Sequence, residues 1–354
     1  MTRYTGQLSL IFTPTSMNES TLPETFGRKT KVVQIARSNW ASALLHWTLL
    51  LAALMVPQVL RAQWYVIVGA QSGDEGRQAL AFLPNEIWIH AGDNVTWAFD
   101  AGEIHTVTFL KANQVRPSFA EGCPGFSTSP ATFDGTTCVS TTASVEGAAN
   151  FTVIFPTAGD FKVVCLVHEN MTGVIHVLDR AKRLPHDQDF YDRQAAVQRR
   201  DLLSDTDGER DRNSYRHEDC NFAGHLVTAG IGETSATAGG AEGSSVFRFK
   251  HDKIEIHAGQ TVEWNNQDPV IPHTITFGTE PPPNDLFPPS SNVTPDAEGV
   301  LHADISLPTD SVHSGFIIAA PQERIGVPQA PLGTTRFRVT FKKPGFFPLH
   351  LRTS

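Results

Sequence analysis

The chain has 354 residues, 40% hydrophobic and 18% charged, with a formal net charge of −9. That length suggests two or three domains, and the acidic balance argues against nucleic acid as a partner and for the steering of a basic one. The 27 Gly and 23 Pro suit an all-β chain with many turns.

Residues 1–37 are polar and without periodicity, with Arg28, Lys29, Lys31 and Arg37 gathered at their end. Ser38 to Leu60 then carries no Asp, Glu, Lys or Arg, and Arg61-Ala62 follows. A basic region, an apolar core and a small residue are the parts of an export signal. The preferred reading of 1–62 is a leader cleaved near Ala62, its length reflecting a start placed too early. The alternative is an uncleaved signal-anchor, just long enough to cross a bilayer, with its positive flank inside.

From Gln63 the pattern changes to short strands. Trp64–Val68, Glu86–Ile89, Val95–Phe99, His105–Phe109, Phe151–Phe155, Phe161–Val164 and Gly173–Val177 are β runs separated by Gly, Pro and Asp turns. Strands of this length and spacing predict a β-sandwich over 63–178. Residues 111–148 interrupt it with a Gly-, Ser- and Thr-rich insertion holding Cys123 and Cys138. A bridge between those two would stabilise the fold by about 3 kcal/mol and would fit an exported protein.

The chemistry is concentrated in Cys165-Leu166-Val167-His168-Glu169-Asn170-Met171. A thiolate, an imidazole and a thioether recur three residues apart, directly after a strand. A type 1 copper site needs two imidazoles and one thiolate, with a weak, long axial thioether. The loop supplies three of these donors, and His105 is available as the fourth. Of the four Cys, this leaves Cys123 and Cys138 as a pair and Cys220 odd.

On this loop, His105 and the strand pattern, residues 64–178 resemble the cupredoxins, with a loop spacing similar to that of amicyanin and tighter than that of plastocyanin. The resemblance implies a Greek-key β-sandwich holding one type 1 copper on His105, Cys165, His168 and Met171. It implies that His168 lies at an exposed edge within an apolar docking patch, and that His105 is more buried. Glu169 departs from the family, which has a proline there.

Residues 179–219 are charged and weakly helical, and read as a linker carrying one helix. A second unit, 220–354, then repeats the first. Ile87–Trp97 matches Ile254–Trp264, His105–Phe109 matches His273–Phe277, and Phe151–Phe155 matches Phe337–Phe341. Repeats this close predict two copies of one fold, making the whole chain all-β with tandem sandwiches. Continuing the alignment sets Leu351 opposite Cys165 and Ser354 opposite His168. The second copy therefore lacks the Cys, the second His, the Met and the closing strand, and is expected to hold no blue copper. A half-ligated site on His273 and His350 is the less favoured reading. His90 and His257, each before Ala-Gly, read as strand-end residues, and Trp97 and Trp264 as core. His217, Cys220 and His225 could form a metal clip, but their place at a domain boundary favours a free or intermolecularly paired thiol.

The expected function is that of an exported blue copper protein, periplasmic or extracellular, exchanging single electrons with a redox partner protein. The alternative is copper storage or delivery, or a cell-surface interaction role. No His-x-His occurs and no His adjoins Cys165, so the chain is expected not to be an enzyme.

Overall fold

The structure, a computed structural model, describes residues 61–123, 125–204, 225–249, 253–282, 288–319 and 335–351, all within one unit spanning Leu60–Ser354. The expected leader segment up to Leu60, and the Cys220 thiol with His217, lie outside these residues. No helix among the described residues is long and apolar enough to cross a membrane.

In chain order the first half contributes β1 (Gln63–Gln71), β2 (Arg77–Leu83), β3 (Glu86–His90), β4 (Asn94–Phe99), β5 (Thr108–Phe109), β6 (Ala131–Thr132), β7 (Val139–Ser140), β8 (Phe151–Ile154), β9 (Gly159–Val164) and β10 (Thr172–Leu178). Helix α1 (Gln188–Ser204) follows. The second half contributes β11 (His225–Ala236), β12 (Ala241–Phe249), β13 (Thr261–Gln267), β14 (His273–Phe277), β15 (Thr294–Pro295), β16 (Leu301–Ile305), β17 (Val312–Ile317), β18 (Arg336–Phe341) and β19 (Leu349–His350).

Alternation builds the first sandwich. Trp64, Val66 and Val68 of β1, Ile87 and Ile89 of β3, Phe151 and Val153 of β8, and Ile175 and Val177 of β10 all turn inward, as the period of two in a strand requires. Sheet β2-β1-β4-β8-β6 faces sheet β3-β10-β9-β5-β7 across this core. Trp97, Phe109, Phe133, Phe155 and Phe161 fill its middle, with Phe109 edge-on to Trp97 at 5.4 Å and to Phe155 at 5.3 Å. Such aromatic pairs add about 0.5–1.5 kcal/mol each beyond their buried area. Cys123 and Cys138 are bridged, as expected.

The second sandwich repeats the pairing rules of the first. β1 pairs antiparallel with β2 and parallel with β4, which pairs antiparallel with β8. β11 stands in the same relation to β12 and β13, and β13 to β18. Trp264 occupies the core as Trp97 does, each almost fully buried. Among the described residues, the sheet facing this one holds β17, β14 and β19. Ile254–His257, matched in sequence to β3, joins no ladder, and no counterpart of β10 exists among the described residues.

The two sandwiches are not beads on a linker. β12 pairs antiparallel with β2, aligning Gly243 with Leu80 and Ser245 with Gln78, so that eleven strands form one sheet. Small residues make this junction. Ala79 and Ala81 of β2 pack with Ala195 and Leu202 of α1, while Leu80 meets Val270 and Ile271 of the second half. The expected linker helix is thus a packed element. Asp187 caps it by accepting the Phe190 amide, and the buried Tyr191 hydroxyl accepts the Trp88 amide at 2.9 Å.

Candidate metal centre

Two segments sixty residues apart in sequence form the site. His105 sits between β4 and β5, paired through its backbone with Ser144 of the insertion (N–H to O 2.9 Å, O to N–H 2.8 Å). Its ring lies against Gly69, where β1 bulges between Val68 and Ala70. Gly69 has φ +69°, and a Cβ there would lie 2.4 Å from His105 Nε2. Only glycine suits both the backbone and the space.

The seven-residue loop leaves β9 and is closed on itself. The Cys165 amide donates to the Met171 carbonyl at 3.0 Å, and the Met171 amide to the His168 carbonyl at 3.2 Å. Thr106 ties the segments together: its amide donates to Cys165 Sγ at 3.4 Å, and its hydroxyl accepts the Leu166 amide at 2.7 Å.

This brings His105, Cys165 and His168 together, their donor atoms all within 4.8 Å of one another. His105 Nδ1 lies 3.2 Å from His168 Nδ1, which lies 3.7 Å from Cys165 Sγ. Met171 is fully buried in the same core cluster as Cys165. Burial alone would push the Cys165 thiol up, but its hydrogen bonds with His105 and His168 outweigh this and hold it well below its ordinary range. Burial lowers His105. Burial would lower His168 too, but the Cys165 thiolate and then Glu103 raise it to about 9.

The implied exposed edge is not there. His168 is only 2% exposed. Its outer nitrogen, Nε2, lies 3.5 Å from a carboxylate oxygen of Glu103, itself buried. The insertion reaches this loop. Beyond the Ser144 pairing, it sends Arg116 onto the loop, donating to the carbonyls of Cys165 and His168. Glu103 and Arg116 are residues that sequence spacing missed. Glu103, two places before His105, lay beside a suspected ligand. Arg116 carried no signal, since a turn-rich insertion gives no indication of where it folds.

Among the described residues, the second sandwich assembles no such set. β14 and β19 align Thr276 with His350 and Phe277 with Leu349, as β5 and β9 align Thr108 with Val164 and Phe109 with Val163. Leu351 thus takes the place of Cys165. His350 is exposed while His273 is fully buried, so the half-ligated site does not form. His90 contacts the Lys182 carbonyl at 2.8 Å and His257 is exposed, both apart from the cluster.

No protein-family description matches this chain, and no curated protein matches it. Among solved structures, it is similar to a reduced amicyanin variant at 16% identity and TM-score 0.23, over 34% of this chain and 87% of that one. It is similar to a multicopper oxidase, mgLAC, at 13% identity and TM-score 0.20, over 82% of this chain and 79% of that one. A blue copper oxidase from Nitrosomonas europaea matches at 12% identity and TM-score 0.22, over 80% of this chain and 86% of that one. Likeness at these identities concerns fold alone. The expectation that the chain is not an enzyme is corrected: two of these similar structures are oxidases, each matched over about four-fifths of this chain. That expectation rested on missing His-x-His spacings. Spacing is a poor test where the fold brings ligands from distant segments, as it brings His105 to Cys165.

Proposed function

We propose that this chain is an exported copper protein in which His105, Cys165, His168 and Met171 hold one type 1 copper and pass single electrons to and from a partner protein. One observation carries the reading: two imidazole Nδ1 atoms 3.2 Å apart converge with one buried thiolate. Two nitrogen lone pairs so close repel each other unless a proton or a cation lies between them. One soft sulfur and two imidazoles favour copper over hard cations, and a buried thioether next in line matches a weak axial donor. Copper held there supplies a one-electron couple.

The rest is the work of the chain. The closed loop and the bulge at Gly69 hold the donors in place whatever the metal's charge, and burial keeps water out. The Thr106 amide stabilises the thiolate. Glu103, whose carboxylate lies 3.5 Å from His168 Nε2, would favour the tautomer that presents Nδ1 to the metal. The second sandwich serves as scaffold. Its β11–β12 hairpin donates the Ala241 amide to Thr172 Oγ1 at 2.9 Å, one residue beyond Met171. The net charge of −9 suits a basic partner. Export rests on the composition of residues 1–62.

A second reading, copper storage or delivery, is favoured by one feature: every donor residue is at most 2% exposed, leaving no ligand edge at the surface for rapid electron exchange. Copper stoichiometry and the visible spectrum of the Cu(II)-loaded protein separate the two. About one copper per chain with an intense blue or green band, lost in Cys165→Ser and kept in His273→Ala, supports the electron-transfer reading. Copper bound without the band supports storage or delivery. A band that survives Cys165→Ser and is lost in His273→Ala sinks the assignment.

A further inference from the structure

The guanidinium of Arg116 touches the ligand loop at three backbone carbonyls. Nη2 donates to those of Cys165 and His168, the latter at 3.1 Å, and Nη1 donates to that of Glu169 at 3.4 Å. Arg116 comes from the insertion, tied at Cys123–Cys138 and through Ser144 to His105. A seven-residue loop closed by its own amides must turn several carbonyls outward, and each needs a donor. A planar fork with five N–H groups can serve three at once, which an ammonium cannot do in one geometry. Arg116 is partly buried, so its bonds are shielded from competing water. Its charge also lies beside the residue that carries the thiolate.

We propose that Arg116 is a positioning residue: a clamp that preorganises the Cys165–Met171 loop in its ligating shape before metal binds and, through its positive charge, favours the reduced state of a metal held there. The second half of this statement rests on the copper reading; the first does not. The clamp makes the insertion part of the metal centre rather than a surface ornament.

The experiment uses the full chain with Arg116→Met and Arg116→Lys, metal-free and copper-loaded. In the metal-free protein, amide hydrogen exchange at Cys165, Leu166 and Met171, whose amides donate to the Met171 carbonyl, Thr106 Oγ1 and the His168 carbonyl, should quicken by at least about tenfold in Arg116→Met, the equivalent of one lost charge-assisted bond. Arg116→Lys keeps the charge but not the fork, so it should loosen the loop by less. Non-denaturing guanidinium ion should restore slow exchange in Arg116→Met, which a general loss of packing would not permit. In the loaded protein, Arg116→Met should lower the midpoint potential and speed the loss of Cu(I) to a chelator, while Arg116→Lys should hold the potential near wild type. Unchanged exchange in Arg116→Met overturns the clamp. So does Arg116→Lys matching wild type in exchange, because the fork would then be irrelevant. An unchanged potential with quickened exchange overturns the electrostatic half alone. If wild-type protein shows no thiolate-to-copper band, the copper reading fails, and the exchange measurement still decides the clamp.

Discussion

Each sandwich seats a histidine against a glycine bulge, and among the described residues only one of them completes a metal-ligand set around it. In the first, Gly69 at φ +69° leaves room for His105, where a Cβ would lie 2.4 Å from Nε2; in the second, Gly230 at φ +81° does the same for His273, where a Cβ would lie 2.0 Å away. Both bulges fall at the same step of the same hairpin. The difference lies in what meets the ring. His105 Nδ1 faces His168 and Cys165. His273 Nε2 pairs at 3.2 Å with Asp268, and its Nδ1 has no partner among the described residues. The seat is therefore a property of the fold, and the metal centre is a property of the loop after β9. In the second sandwich a buried carboxylate faces the histidine instead.

The comparison breaks most sharply at Asp268, which is fully buried. Its Oδ1 accepts the amides of Val270 and Ile271, and its Oδ2 faces His273. Asp268→Ala strands three buried donors and should cost about 3–5 kcal/mol in urea unfolding, while the protein that remains folded still binds copper. A smaller loss would mean that His273 is not held by this network. The bulges come next. Gly69→Ala and Gly230→Ala should each cost about 1–3 kcal/mol, because both force a side chain into the left-handed region and onto an imidazole. Only Gly69→Ala should also abolish the copper band. If Gly230→Ala bleaches the protein, the two seats are coupled through the shared sheet and the contrast drawn here fails.

Much of the first sandwich is legible because its strands are β-branched or aromatic on alternate positions: Trp64–Val68, Glu86–Ile89 and Phe151–Phe155 all fall on strands within a residue or two. The cluster of His105, Cys165 and His168 was legible too, since three donors at fixed spacing and one in the only other suitable place leave little choice. The junction was not. β2 reads Arg-Gln-Ala-Leu-Ala-Phe-Leu and β12 carries Gly243-Ser244-Ser245, small residues chosen for close approach between halves rather than for strand propensity. Nor was the closed site. Whether an insertion lies over a metal loop or away from it depends on contacts, such as those of Arg116, that no periodicity encodes.

A finer contrast lies in how His168 and Cys165 are charged. His168 in the metal-free protein is raised from 6.5 to about 9, against burial, by Cys165 and then Glu103. A raised folded value means a contribution to stability that is complete below about 6.5 and lost as pH rises through about 9. The lowered Cys165 thiol contributes in the opposite sense. Its share is complete above the ordinary thiol value of 9.0 and lost as pH falls through the lower folded one. Between about 6.5 and 9 the two slopes oppose, and the metal-free protein should show little change in unfolding free energy there. Glu103→Gln removes part of the support for His168 and, more weakly, for His105. The His168 imidazole should titrate lower by NMR, and stability should then rise with pH across that window. A His168 titration indistinguishable from wild type would show that the carboxylate at 3.5 Å does not act on the ring.

The smallest expected effect tests the joint between the halves. Glu242 of β12, 8% exposed, accepts from Asn85 Nδ2 at 3.3 Å across the junction. Burial raises its pKa, Ser235 pulls it down, and Asp201 adds to the rise. A carboxylate raised on folding contributes stability while protonated, and that contribution is lost as pH rises through its folded value. At neutral pH, then, the joint carries a poorly solvated charge that it would hold better neutral. Glu242→Gln keeps an acceptor for Asn85 and removes the charge, so the melting temperature at pH 7 should rise by about 1–3 °C, with no gain near pH 4, where the wild-type group is already protonated. The two sandwiches share one sheet through β2 and β12, so a gain here should appear in a single cooperative transition. A gain confined to one of two separate transitions would mean that the halves unfold independently, and that the second cannot serve the first as a scaffold.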